Sequence, residues 1–125
     1  MSKQYDKYFP YEKLRDQQKY CIDRSLDAFL DKDKRFVIIE AGTGVGKSAI
    51  GLTVARYLNK NLKYDDDYSA GSYFLTTQKI LQSQYENDFG RSAGGNMCSL
   101  YSSSNNQCSY HKKNDCRTSQ QMLRT

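Results

Sequence analysis

Apolar positions in the first 90 residues recur with two different periods. From about Tyr11 to Leu30, the residues Leu14, Cys21, Ile22, Leu26, Phe29 and Leu30 fall at helical spacing. Phe36-Val37-Ile38-Ile39 is a continuous apolar run, the pattern of a strand buried on both faces. Ile50, Val54 and Leu58 return every fourth residue and predict a second helix. Ser72 to Thr76 predicts a second strand. Ile80, Leu81, Tyr85 and Phe89 predict a third helix, with Ile80, Leu81 and Tyr85 packed into a core. Strand, helix, strand, helix is the order of an α/β fold with a parallel sheet. The pattern stops near Gly90. Two parallel strands cannot close a sheet, so such a unit is expected to be marginal by itself.

Composition narrows the setting. The 125 residues have room for one domain. No apolar run approaches the roughly 20 residues of a membrane span, and the N-terminal stretch is polar. Four cysteines in such a chain point to thiols or metal ligands, and the expected location is cytoplasmic. The net charge is +5 and unevenly spread. Residues 1–89 hold 14 basic and 13 acidic side chains, whereas residues 90–125 hold five basic ones and a single acid, Asp115. A basic segment of this kind suits a phosphate-rich partner such as nucleic acid, or a solvated surface.

Candidate chemistry centres on Glu40-Ala41-Gly42-Thr43-Gly44-Val45-Gly46-Lys47-Ser48, between the first predicted strand and the second predicted helix. Phosphate loops follow GxxxxGK(S/T) in this context. Gly42, Gly44 and Gly46 allow tight turning and close approach of backbone N–H groups, including those of Thr43 and Val45, to phosphate oxygens. The helix that follows turns its free amides and positive end to the anion. Lys47 adds a charge on the outer phosphates, and the Ser48 hydroxyl can ligate Mg2+. Ala41 stands where the first glycine of the pattern would be.

With Ala41, the loop resembles the ATP-binding motif of superfamily-two helicases. Two further stretches resemble iron–sulfur helicases of the XPD and DinG type. Arg15-x-x-Gln18 lies about 30 residues before the lysine. The resemblance implies that Gln18 reads the adenine edge with Arg15 in support. Residues 73–89 are similar to the segment called motif Ia, which implies that Thr76, Thr77 and Lys79 touch single-stranded DNA at a strand's carboxyl end. Gly90-Arg91-Ser92 resembles the entry to the iron–sulfur insertion of these helicases.

Cys98, Cys108 and Cys116 follow in a segment rich in Ser and Asn that can bury little apolar surface. A metal centre would supply order there, since binding free energy becomes folding free energy. A four-iron four-sulfur cluster takes four cysteines. Cys21, on an apolar helix face, reads as a small buried hydrophobe. Zinc with His111 as fourth ligand, or unliganded thiols, are the alternatives, and the spacing decides among none of them.

The resemblance implies a P-loop NTPase (RecA-like) parallel sheet, incomplete, over residues 1–89, and the start of a cysteine-bearing insertion over 90–125. It implies the ATP-binding opening part of an ATP-dependent DNA helicase, a fragment inactive alone, since no DEAH-like carboxylate pair is present. Expected cofactors are ATP, Mg2+ and an iron–sulfur cluster, and the expected partner is single-stranded DNA. A nucleotide or small-molecule kinase, or a zinc-binding module with a vestigial loop, are the competing readings.

Overall fold

The structure is a computed structural model and describes residues 4–62, 71–91, 97–110 and 113–123. His111, and the side chain of Cys116, lie outside the described part. Four helices dominate: α1 (Asp16–Leu26), α2 (Lys47–Asn61), α3 (Lys79–Phe89) and α4 (Cys116–Leu123).

The first helix starts later than the apolar spacing predicts. Arg15 is extended, with ψ at 151°, and the Gln18 side-chain oxygen accepts its backbone N–H at 3.1 Å. That bond satisfies a donor the helix itself leaves unpaired. At its far end α1 widens into a π turn, Asp27–Asp31, where Lys32 N–H donates to the Asp27 carbonyl at 3.0 Å. Asp33 then takes a left-handed φ of 48°, a conformation that Asp adopts more readily than most residues, and the helix ends.

The core lies between α1 and α2. Ile22 and Leu26 of α1 meet Ala49, Ile50 and Val54 of α2. Tyr5 and Phe9, from the polar-looking N-terminal stretch, close its third side. Tyr5 is 3% exposed and its hydroxyl donates to Asp23 at 2.7 Å, so its one polar atom is satisfied. Burial, then the Asp23 carboxylate, push that phenol's pKa well above the usual tyrosine value. Ser25 and Thr53, also buried, donate to the carbonyls one turn back, at Cys21 and Ala49.

The parallel α/β sheet expected from the sequence is not found. Among the described residues there is no strand and no sheet, only one isolated antiparallel bridge between Gln107 and Asp115. A strand holds when its backbone groups pair with a neighbour. Residues 36–39 and 72–76 do not pair. Val37 of the first and Phe74 of the second are half-buried beside the helices. Val37, Ile39 and Phe74 border a cleft with Ile50, Val54 and Leu58. The intervening Phe36, Ile38, Tyr73 and Leu75 are 86%, 95%, 92% and 91% exposed. In the continuous apolar run only Val37 is half-buried, Ile39 being 39% exposed, so the run is not buried on two faces, and the P-loop NTPase sheet predicted over residues 1–89 is overturned.

Two smaller expectations also change. Ile80 is exposed at the start of α3, whereas Leu81 and Tyr85 are half-buried and Phe89 is buried. The helix α4 was not anticipated by periodicity. Its start is set by Asp115, whose carboxylate accepts the Thr118 N–H at 2.7 Å.

Candidate phosphate-binding site

Residues 40–48 run directly into α2. Gly44 and Gly46 have φ of 80° and 82°, the left-handed region that glycine enters without a Cβ penalty. Successive amides in such a turn converge to form an anion-binding nest. At the start of α2 the Ala49 N–H donates to the Gly46 carbonyl at 3.1 Å, and the amides of Lys47 and Ser48 before it have no acceptor within the helix. The space above Gly42 and Gly44 is open, with no atom within 4 Å of where a Cβ would stand. Gly46 is different: a Cβ there would lie 2.5 Å from Gln18 Nε2. Gly44 and Gly46 are thus demanded by backbone conformation, and Gly46 by a close neighbour as well. Thr43 is exposed, while Val45 tucks against the core.

The loop is held from two sides. On one side, Arg15 Nη1 donates to the Gly44 carbonyl at 2.9 Å, and Gln18 Nε2 donates to the Val45 carbonyl at 3.0 Å. Gln18 is 4% exposed and both ends of its amide are engaged. The pair assigned to the nucleotide base from the sequence therefore clasps the loop itself. On the other side, Ser48 Oγ donates to the Tyr85 hydroxyl of α3 at 3.3 Å. Lys47 bends its ammonium back over the loop, 3.0 Å from the Ala41 carbonyl and 3.3 Å from that of Gly42. An open nest, an ammonium at its mouth and a hydroxyl in the next position form a donor set that fits the phosphates of a nucleotide and a hard cation such as Mg2+.

Beside the loop is a cleft of about 500 Å³, bordered by Asp16, Gln17, Tyr20 and Cys21 of α1 and by Glu40 to Gly42. It is large enough for a base or sugar next to the phosphate nest.

The chain matches, over residues 11–124, the family described as the res subunit of type III restriction enzymes, ResIII. The chain belongs to the ResIII family. This is a superfamily-two helicase-like family, whose chemistry generally uses ATP and Mg2+ and whose partner is generally nucleic acid. No curated protein matches the chain, and no solved structure does.

In this ResIII chain the other expected site residues lie beyond α2. Thr76 is half-buried and its hydroxyl accepts the Gln78 N–H at 3.3 Å, while Thr77 is exposed. Lys79 is exposed and donates to Asn105 at 2.9 Å, and Gln82 donates to the Leu100 carbonyl at 3.4 Å. The segment after Met97 is thereby laid along α3. Thr76 lies there in an extended segment before α3, not at a strand end.

Among the described residues no group of three or more His, Cys, Asp or Glu side chains could hold a metal ion. Cys98 is exposed and Cys108 is buried. Cys21 is half-buried against the core, in keeping with its reading as a small hydrophobe. No described helix is long and apolar enough to cross a membrane.

Sequence reasoning missed two residues that shape the site. Tyr85 was assigned to packing alone, yet its hydroxyl reaches Ser48. Arg56 of α2 donates through Nη2 to the Phe89 carbonyl at 2.8 Å, pinning the end of α3 to α2. Burial lowers the guanidinium pKa of Arg56. Its Nη1 is buried without a hydrogen-bond partner. Neither contact leaves a periodicity signal, because both depend on how α3 docks.

Proposed function

We propose that this chain is the ATP-binding portion of an ATP-dependent DNA helicase that couples hydrolysis to movement along single-stranded DNA. The observation that carries the reading is the left-handed pair Gly44 and Gly46 leading into α2 with Lys47 at its mouth. Amides from Gly42 to Gly46 cradle the phosphates, Lys47 neutralises the outer ones, and Ser48 offers its hydroxyl to Mg2+. Mg2+, when bound, withdraws charge from the phosphate oxygens. Gln18 and Arg15 serve the base side, Gln18 through the second N–H and the second oxygen lone pair that its bonds to Val45 and Arg15 leave over.

On this reading, residues 1–89 are the nucleotide-binding part and residues 90–125 open a cysteine-bearing insertion. Thr76, Thr77 and Lys79 contact the phosphates of the DNA strand. The finer assignment to the XPD and DinG type rests on the sequence resemblance at Arg15-x-x-Gln18, residues 73–89 and Gly90-Arg91-Ser92, the last of these for Cys98, Cys108 and Cys116 as ligands of an iron–sulfur cluster. A cytoplasmic location is part of this reading, with the four cysteines taken as thiols or metal ligands.

The test is titration of the chain with ATP and Mg2+. Lys47→Ala is expected to abolish binding. Unchanged binding refutes the assignment of the loop.

A further inference from the structure

Tyr85 carries an oxygen that its packing role does not need. Its ring lies 6.2 Å from that of Phe89 at an interplanar angle of 33°, and 6.3 Å from that of Phe74 at 70°. Phe89 is buried, with its carbonyl held by Arg56. A phenylalanine would satisfy both ring contacts. The hydroxyl instead points out of the aromatic group to Ser48, 37 residues earlier in the chain.

A serine hydroxyl has one proton and two lone pairs, and its rotor is otherwise free. To ligate a cation it must present a lone pair and send the proton elsewhere. An acceptor fixed behind it selects that orientation in advance. Groups that orient a metal ligand in this way typically change metal affinity by about 10- to 100-fold when removed. The Tyr85 oxygen is restrained by the contacts of its ring with Phe74 and Phe89.

We propose that Tyr85 is a positioning residue for Ser48: its hydroxyl accepts the serine proton and turns the Ser48 lone pair to the Mg2+ of a bound Mg–nucleotide. This rests on the loop reading above, and it makes α3 part of the nucleotide site. The 3.3 Å separation is long for a bond between hydroxyls, so the effect belongs at the low end of that range.

The experiment compares wild type, Tyr85→Phe, Ser48→Ala and Lys47→Ala by calorimetric titration with ATP, once with Mg2+ and once with EDTA. Tripolyphosphate serves as a ligand without a base. The quantity of interest is the gain in affinity that Mg2+ confers. In Tyr85→Phe that gain is expected to fall by about tenfold, while affinity in EDTA stays at the wild-type value. A merely structural tyrosine would change both conditions together. A Tyr85→Phe chain with the full Mg2+ gain overturns the proposal and leaves the loop reading standing. A Ser48→Ala chain that keeps its gain overturns the proposal together with the role of Ser48. If wild type and Lys47→Ala are alike in failing to bind tripolyphosphate, the loop reading falls and takes the proposal with it.

Discussion

Replacing Gly46 by alanine tests the loop geometry without any ligand. Two costs add. A Cβ at φ of 82° places the residue in the left-handed region, which disfavours an L side chain by about 1–2 kcal/mol. The same Cβ would lie 2.5 Å from Gln18 Nε2, so the amide must move and give up its bond to the Val45 carbonyl. Losing that bond from a buried side chain costs about 1 kcal/mol more. The expected sum is about 2–3 kcal/mol. Urea unfolding followed by circular dichroism would show it as a midpoint lowered by about 1–2 M. A Gln18→Ala background separates the two costs, because it removes the clash and keeps the backbone strain. There Gly46→Ala is expected to cost only about 1–2 kcal/mol. A cost below about 0.5 kcal/mol in the wild-type background refutes the left-handed assignment. An equal cost in both backgrounds refutes the contact with Gln18.

Two other substitutions probe parts of the fold away from the loop. Tyr5→Phe removes a buried hydrogen bond to Asp23 and is expected to cost about 1 kcal/mol at neutral pH. The folded-state pKa of Tyr5 is raised above its unfolded value of 10.0, so its contribution is complete below that pH and is lost as the pH climbs past it. The stability difference between wild type and Tyr5→Phe should therefore stay constant up to about pH 10 and narrow only above it; a difference that stays constant above that pH argues against the buried phenol. Asp115→Ala removes the N-cap of α4 and should speed amide exchange at Thr118 and Ser119 while leaving α1 and α2 unchanged. The Thr118 amide, then its hydroxyl, hold the Asp115 carboxyl below its ordinary pKa. That support is present above the unfolded pKa of 3.8 and is lost as pH falls through the lower folded value. Exchange in wild-type α4 that is already as fast as in Asp115→Ala contradicts the cap.

Much of the helical framework was legible because helices are local. The spacing of Ile50, Val54 and Leu58 marks α2, and that of Leu81, Tyr85 and Phe89 marks α3, without reference to any other part of the chain. The start of α4 also left a local sign, in Asp115 three residues before Thr118, but its polar sequence has too few apolar positions for periodicity to reveal it. Residues 36–39 and 72–76 illustrate the opposite case. Apolar, β-branched and aromatic residues suit a strand, yet a strand exists only if a partner supplies its hydrogen bonds. The same run can equally lay one side on a helix pair, as Val37 and Phe74 do.

Sequence alone determined α2, α3 and most of α1, the positions of the loop glycines with Lys47 and Ser48, and, through the match over residues 11–124, the ResIII family. These follow from short-range spacing and from the few residue types that a tight anion-binding turn tolerates. Tertiary structure alone decided that Tyr5 and Phe9 complete the core, that Gln18 and Arg15 grip the loop, and that Tyr85 meets Ser48. Each of these joins residues from different elements, so its energy depends on how those elements dock, and no local pattern along the chain encodes it.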